Sequence, residues 1–166
     1  MFRISLLTLF ITVLSFSNLF SQKGKDGAKT INAANTKVNE FTALTANASI
    51  GNTTLTVASS SLNTNARFTS TLTPGDLIMI IQMQGALMKL SAVPVWAPDS
   101  TYGQVYSYGS CGNYEFAEVK SVISATQIEI NCGLTFNYSS VGKTQIVRVP
   151  RYSSLNIATT GTLTTD

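Results

Sequence analysis

The sequence predicts an all-β protein: a small β-barrel or sandwich-like domain leading into the first rung of a repetitive region of β-helical winding. Three observations predict it. Charged residues make up only 11% of the 166 positions. Thr and Ser, which suit the solvent face of a sheet, fill the gap together with Gly and Asn, which supply turns. Apolar residues recur with period two in short segments bounded by turn signals, and past Lys37 no long stretch shows the three-and-four spacing of a helix.

Residues 1–21 have the three-part form of a secretory signal, with Arg3 as the positive start, 6–14 (LLTLFITVL) as the apolar centre and a polar exit to Ser21. The apolar stretch is shorter than the ~20 residues that cross a bilayer, so no membrane span is expected after signal removal. No Cys stands near the cleavage point to carry a lipid. Residues 22–36 are polar and lack periodicity, which predicts a flexible leader.

Residues 37–151 form the expected barrel or sandwich module. In 53–57 (TTLTV), Leu55 and Val57 share one face. Thr73-Pro74-Gly75-Asp76 is a turn in which Pro presets φ and Gly accepts positive φ. It launches 77–81, an unbroken apolar run expected at the centre of the sheet and covered on both faces. Residues 114–123 and 127–132 predict a hairpin around Ser124-Ala125-Thr126. A change of apolar phase between Phe116 and Ala117 predicts a bulge there. Residues 145–149 are a further strand, ended by Pro150. Residues 152–166, with isolated Leu155, Ile157 and Leu163 among Thr and Gly, predict the start of a repetitive β region that continues past Asp166.

The absence of His removes Ser-His-Asp and Cys-His nucleophile activation and the commonest zinc ligand. No calcium loop and no phosphate-cradling glycine loop is present. No catalytic residue, metal or cofactor is therefore assigned. Glu115 and Glu118 are expected on opposite strand faces, and Glu118 and Glu129 are expected to approach across the hairpin near Lys120 as a solvated, salt-bridged face. The net charge of +3 is spread along the chain rather than gathered in a stripe, which argues against a nucleic-acid partner. Cys111 and Cys132 are the two cysteines of an exported chain, which predicts a disulfide between them. That bridge requires residues 109–112 to fold back over the hairpin.

Residues 94–114 (PVWAPDSTYGQVYSYGSCGNY) gather Trp96, Tyr102, Tyr106 and Tyr108 in a loop rich in Gly and Pro. Aromatic faces with polar tips suit a glycan or a protein partner. The competing role for these rings is to cover the end of the barrel as a satellite core.

Three stretches, 75–86 (GDLIMIIQMQGA), 112–119 (GNYEFAEV) and 145–157 (QIVRVPRYSSLNI), together resemble the N-terminal module of large adhesin-like surface proteins exported by the type IX secretion system. The resemblance runs from about Asp26 to the end of the chain. It implies a secreted or cell-surface location, a Thr/Gly-rich β body as downstream partner and no catalytic residues. The expected function is a non-catalytic module that caps that body and contacts extracellular glycan or protein. Two alternatives stay open: an accessory domain of an exported polysaccharide-degrading enzyme, and a short secreted protein complete in itself.

Overall fold

A computed structural model describes residues 24–89 and 103–165. The signal segment, Trp96 and Tyr102 lie outside the described residues. Within them the protein is all-β, with no helix.

Six strands form one antiparallel sheet in the order β2-β9-β4-β7-β8-β3. They are β2 (Glu40–Ala43), β3 (Thr54–Thr56), β4 (Leu77–Gln82), β7 (Tyr114–Ser124), β8 (Gln127–Ile130) and β9 (Thr144–Val149). The sheet curls until its edges meet. Leu44, just past β2, bridges Val57, just past β3, and Thr45 N–H donates to the Thr56 carbonyl at 2.9 Å. Joining the edges removes unpaired backbone groups that would otherwise template aggregation.

Alternation decides what fills the interior. Leu55, Ile78, Ile80, Val119, Ile128, Ile130 and Ile146 all point inward and are buried. The 73–76 turn forms as expected, with Gly75 at φ 82° and Asp76 N–H donating to the Thr73 carbonyl at 3.1 Å. β4 is central, with β9 and β7 on its two sides. It is not covered on both faces, however: Ile78, Ile80 and Gln82 are buried, while Leu77, Met79 and Ile81 face outward and are only partly covered.

The predicted hairpin is present, but its bulge lies further along. Met79–Phe116 and Ile78–Ala117 pair regularly, and the register shifts between Val119 and Ser121 and again between Val122 and Ser124. Tyr114 and Phe116 are apolar because the outer face of the sheet is apolar there, so the apparent phase change marks no irregularity.

Part of the leader is a strand that its composition did not indicate. β1 (Ala28–Ile31) pairs in parallel with β10 (Ser154–Ile157), residue for residue from Ala28–Ser154 to Ile31–Ile157. The two segments stay side by side around matching corners, and Thr36 bridges Leu163, again in parallel. Thr36 N–H donates to the Thr162 carbonyl and Ala158 N–H to that of Ile31, at 2.8 and 2.9 Å. Gly161 is required at this corner, because a Cβ would stand 2.1 Å from the Ile31 carbonyl oxygen. The remaining pair, β5 (Leu87–Met88) and β6 (Val105–Ser107), extends the β4–β7 hairpin beyond the barrel as an arm.

Candidate functional site

The barrel has two ends, set by the direction of β4. Where β4 begins, a loop of residues 59–76 folds under the barrel and buries Leu62, Phe68 and Leu72. Arg148 points into this plug at 2% exposure. Its guanidinium lies 2.9 Å from the Asp76 carboxylate, donates to the Ser70 carbonyl at 2.8 Å and stacks 3.9 Å over the Phe68 ring. Burial pulls its pKa down, while Asp76, Asp26 and Glu40 oppose the shift. Glu40, the register neighbour of Arg148, accepts the Asn65 backbone and side-chain N–H groups at 2.9 Å each.

The plug also holds the leader. Lys25 Nζ is 2.6 Å from Asp76 and donates to Thr73 Oγ1 and the Pro74 carbonyl. Asp26 accepts the Arg151 N–H at 2.6 Å, and its own N–H returns to the Arg151 carbonyl at 3.1 Å. The Arg151 guanidinium donates to the Gly75 carbonyl. This end therefore presents β1 and β10 on a rigid charged base. β10 has β1 along one edge and no strand on the other among the described residues. Leu155 and Ile157 on it are exposed.

At the opposite end, Gln82 is a buried amide, accepting Ser139 N–H at 2.8 Å and donating to the Gln84 carbonyl at 2.7 Å. The arm springs from here. Gly109 packs against Gly85 so closely that a Cβ would stand 2.6 Å from its carbonyl oxygen, which fixes the bend. On the arm, Tyr106 on β6 and Tyr108 just past it are 68% and 71% exposed. Leu87, Met88 and Val105 are exposed as well, and Leu87 and Met88, successive in β5, point to opposite sides of the arm. Tyr106 and Tyr108 are thus not a satellite core over the barrel.

The predicted disulfide is not formed. Cys111 lies beyond the Gln82 end of the sheet, where its Sγ donates to the Met83 carbonyl, while Cys132 follows β8 and is exposed. Residues 109–112 bend toward the arm and Gln82, away from the hairpin, with Gly112 N–H donating to the Gln82 carbonyl at 2.8 Å.

Each described carboxylate is already engaged. Glu115 accepts Thr135 N–H and Oγ1–H at 3.0 Å each. Glu118 accepts Asn131 Nδ2–H at 3.0 Å. Glu129 accepts Lys120 at 2.8 Å and Ser121 at 2.7 Å, and these hydrogen bonds, Lys120 first, hold its pKa below the ordinary value. The bulge at Lys120–Ser121 brings both donors onto the one carboxylate, which the sequence pattern alone did not show. Asp99 and Asp166 lie outside the described residues. Among the described residues no three His, Cys, Asp or Glu side chains gather as a metal site.

No protein-family model matches the chain, and no curated protein matches it in sequence. In structure it is similar to part of three bacteriophage tailspikes. One is the Gp54 tailspike of Acinetobacter baumannii bacteriophage AP22, solved in complex with a capsular saccharide, at 16% identity and TM-score 0.42 over 80% of this chain. The others are gp61 of Pseudomonas phage phi297, at 16% and 0.41 over 81%, and gp49 of Pseudomonas phage LKA1, at 20% and 0.40 over 76%. The chain spans about a fifth of the length of each, the matched shares being 21%, 19% and 20%.

Proposed function

We propose that the protein is a non-catalytic, exported module that starts and caps a parallel β body at a cell surface. The observation that carries this reading is the in-register parallel pairing of β1 with β10, corners included. Parallel neighbours need a crossover connection, and here the crossover is the whole barrel. Two stacked rungs with matched corners are the geometry of a winding parallel sheet, and such stacks require a terminal cap. The charged plug supplies the rigid base, and the open edge of β10 receives the next strand. The engagement of every described carboxylate in structural hydrogen bonds supports a non-catalytic role. The resemblance of residues 75–86, 112–119 and 145–157 to the leading module of type IX-exported adhesin-like proteins supports the surface location. The exposed Tyr106 and Tyr108 favour contact with an extracellular glycan or protein at the far end.

Amide exchange tests the cap. Residues 28–31 and 154–157 should be protected together, and Leu155→Lys with Ile157→Lys should reduce edge-driven aggregation while leaving the barrel's melting temperature unchanged. Free exchange across both segments would remove the basis of the reading.

A further inference from the structure

The outer face of the barrel carries an apolar surface that no other described residue covers. Pairing registers set Phe41 opposite Val147, Val147 opposite Met79, and Met79 opposite Phe116, so one row crosses four strands. The next row adds Gln145, Ile81 and Tyr114. Phe41 and Phe116 are 48% and 55% exposed, and neither row contains an Asp, Glu, Lys or Arg. The arm leaves the barrel at the Ile81–Tyr114 end of this face and exposes apolar side chains on both of its own sides. An isolated two-stranded hairpin is marginal in water, so an arm bare on both faces is short of a partner.

The geometry points to a second copy of this chain as that partner, the arm of each copy lying along the outer face of the other. Three features select it. Uncovered side chains of face and arm amount to roughly 1,000 Å² per copy, against the ~800 Å² per partner of a stable interface. The face alone is about half of that, the size at which a patch marks a contact site but falls short of a dimer. A two-fold contact sets a surface against itself, and β5, β6 and the two rows carry no Asp, Glu, Lys or Arg to face its own copy, Lys89 just past β5 being the nearest described cation of the arm. The inference rests on the reading of the arm as a contact surface and is independent of the cap at the other end.

Sedimentation velocity on the mature chain, from roughly 0.5 to 100 μM, tests it. The chain should sediment as a dimer in the upper part of that range. Phe116→Lys on the face, and separately Tyr106→Ser with Tyr108→Ser on the arm, should each weaken dimerisation at least tenfold with the melting temperature of the barrel unchanged. The arm variant guards against loss of folding in the face variant, since the arm lies outside the core. A chain monomeric up to 100 μM overturns the inference, as does a dimer that survives both substitutions. A dimer abolished only by Leu155→Lys with Ile157→Lys also overturns it while favouring the cap. Free exchange of β1 and β10 in a chain that still dimerises would sink the cap and leave this interface standing.

Discussion

Where β4 begins, the barrel is closed by charge: Arg148 is buried between Asp76, the Ser70 carbonyl and the Phe68 ring, and Lys25 fastens the leader onto the same carboxylate. Where β4 ends, the closure is made of neutral groups, the Gln82 amide and a glycine bend, and beyond it the chain runs out into an arm of exposed rings and aliphatic side chains. The first end is over-determined, with each charged group engaged by several partners. The second has its backbone satisfied and its side chains bare. A buried ion pair adds little net stability over an apolar replacement, but it fixes one arrangement severely, because removing one member strands the other. A bare apolar arm fixes nothing until something covers it. One end thus holds a geometry and the other offers a contact.

The largest expected effect lies between the two ends and erases the comparison. Ile80→Asp puts an unpaired charge into the barrel interior and should cost at least about 4 kcal/mol, seen as failure to fold or as a collapsed denaturant midpoint. Asp76→Asn should come next. It leaves Arg148 buried without its counter-ion and releases Lys25, so a loss of about 3 kcal/mol is expected, together with faster amide exchange in β1 and β10. The arm should keep its exchange rates. If the arm loosens equally, the two ends are one cooperative unit and the contrast fails. Lys25→Ala sharpens the same point more gently. The lysine is partly exposed, so about 1 kcal/mol is expected, confined to the leader and tail.

The asymmetry also explains what could be read from the sequence. Five of the six barrel strands were legible, several of them because inward positions such as Leu55, Ile128 and Ile130 alternate with polar neighbours and period two survives without tertiary knowledge, whereas the four-residue β2 was not singled out. The turn at residues 73–76 was legible because Pro and Gly carry their dihedral preferences locally. The strand at Ala28–Ile31 was not legible, since its partner lies at Ser154–Ile157 and only Ile31 in it is buried. The role of Arg148 was equally hidden, as its partners come from the loop before β4 and from the leader. Tyr106 and Tyr108 were found by composition, whereas the row from Phe41 to Phe116 emerges only once register aligns four strands.

Alkaline pH reaches a tyrosine at each end. Tyr138 is buried at the neutral end, its hydroxyl without a hydrogen bond of good geometry, and burial first, then the nearby Glu115 carboxylate, push its pKa up. Tyr152, beside the leader, is raised by burial and by Asp26. A phenol with a folded pKa above its unfolded value stabilises fully below the unfolded pKa and loses that contribution as pH rises toward the folded one. Stability should therefore fall above about pH 10. Tyr138→Phe should blunt the fall and cost little at neutral pH, because no hydrogen bond is lost. An unchanged alkaline limb in a pH series of denaturant melts would show that the drop arises elsewhere.

The smallest effect belongs to the flank of the barrel, at Glu129. Its carboxylate is held below its ordinary pKa by Lys120 and then Ser121. A depressed folded pKa means stability that is present above the unfolded value and lost as pH falls through the folded one, so the effect is confined to acid. Glu129 is partly exposed and its partner Lys120 largely so, which screens the pair, and Lys120→Ala should raise the Glu129 pKa measured by NMR titration while leaving the neutral-pH midpoint unmoved. A neutral-pH loss as large as that of Lys25→Ala would mean that charge braces the flank as firmly as it braces the plug, and the contrast between a charged end and a neutral remainder would no longer hold.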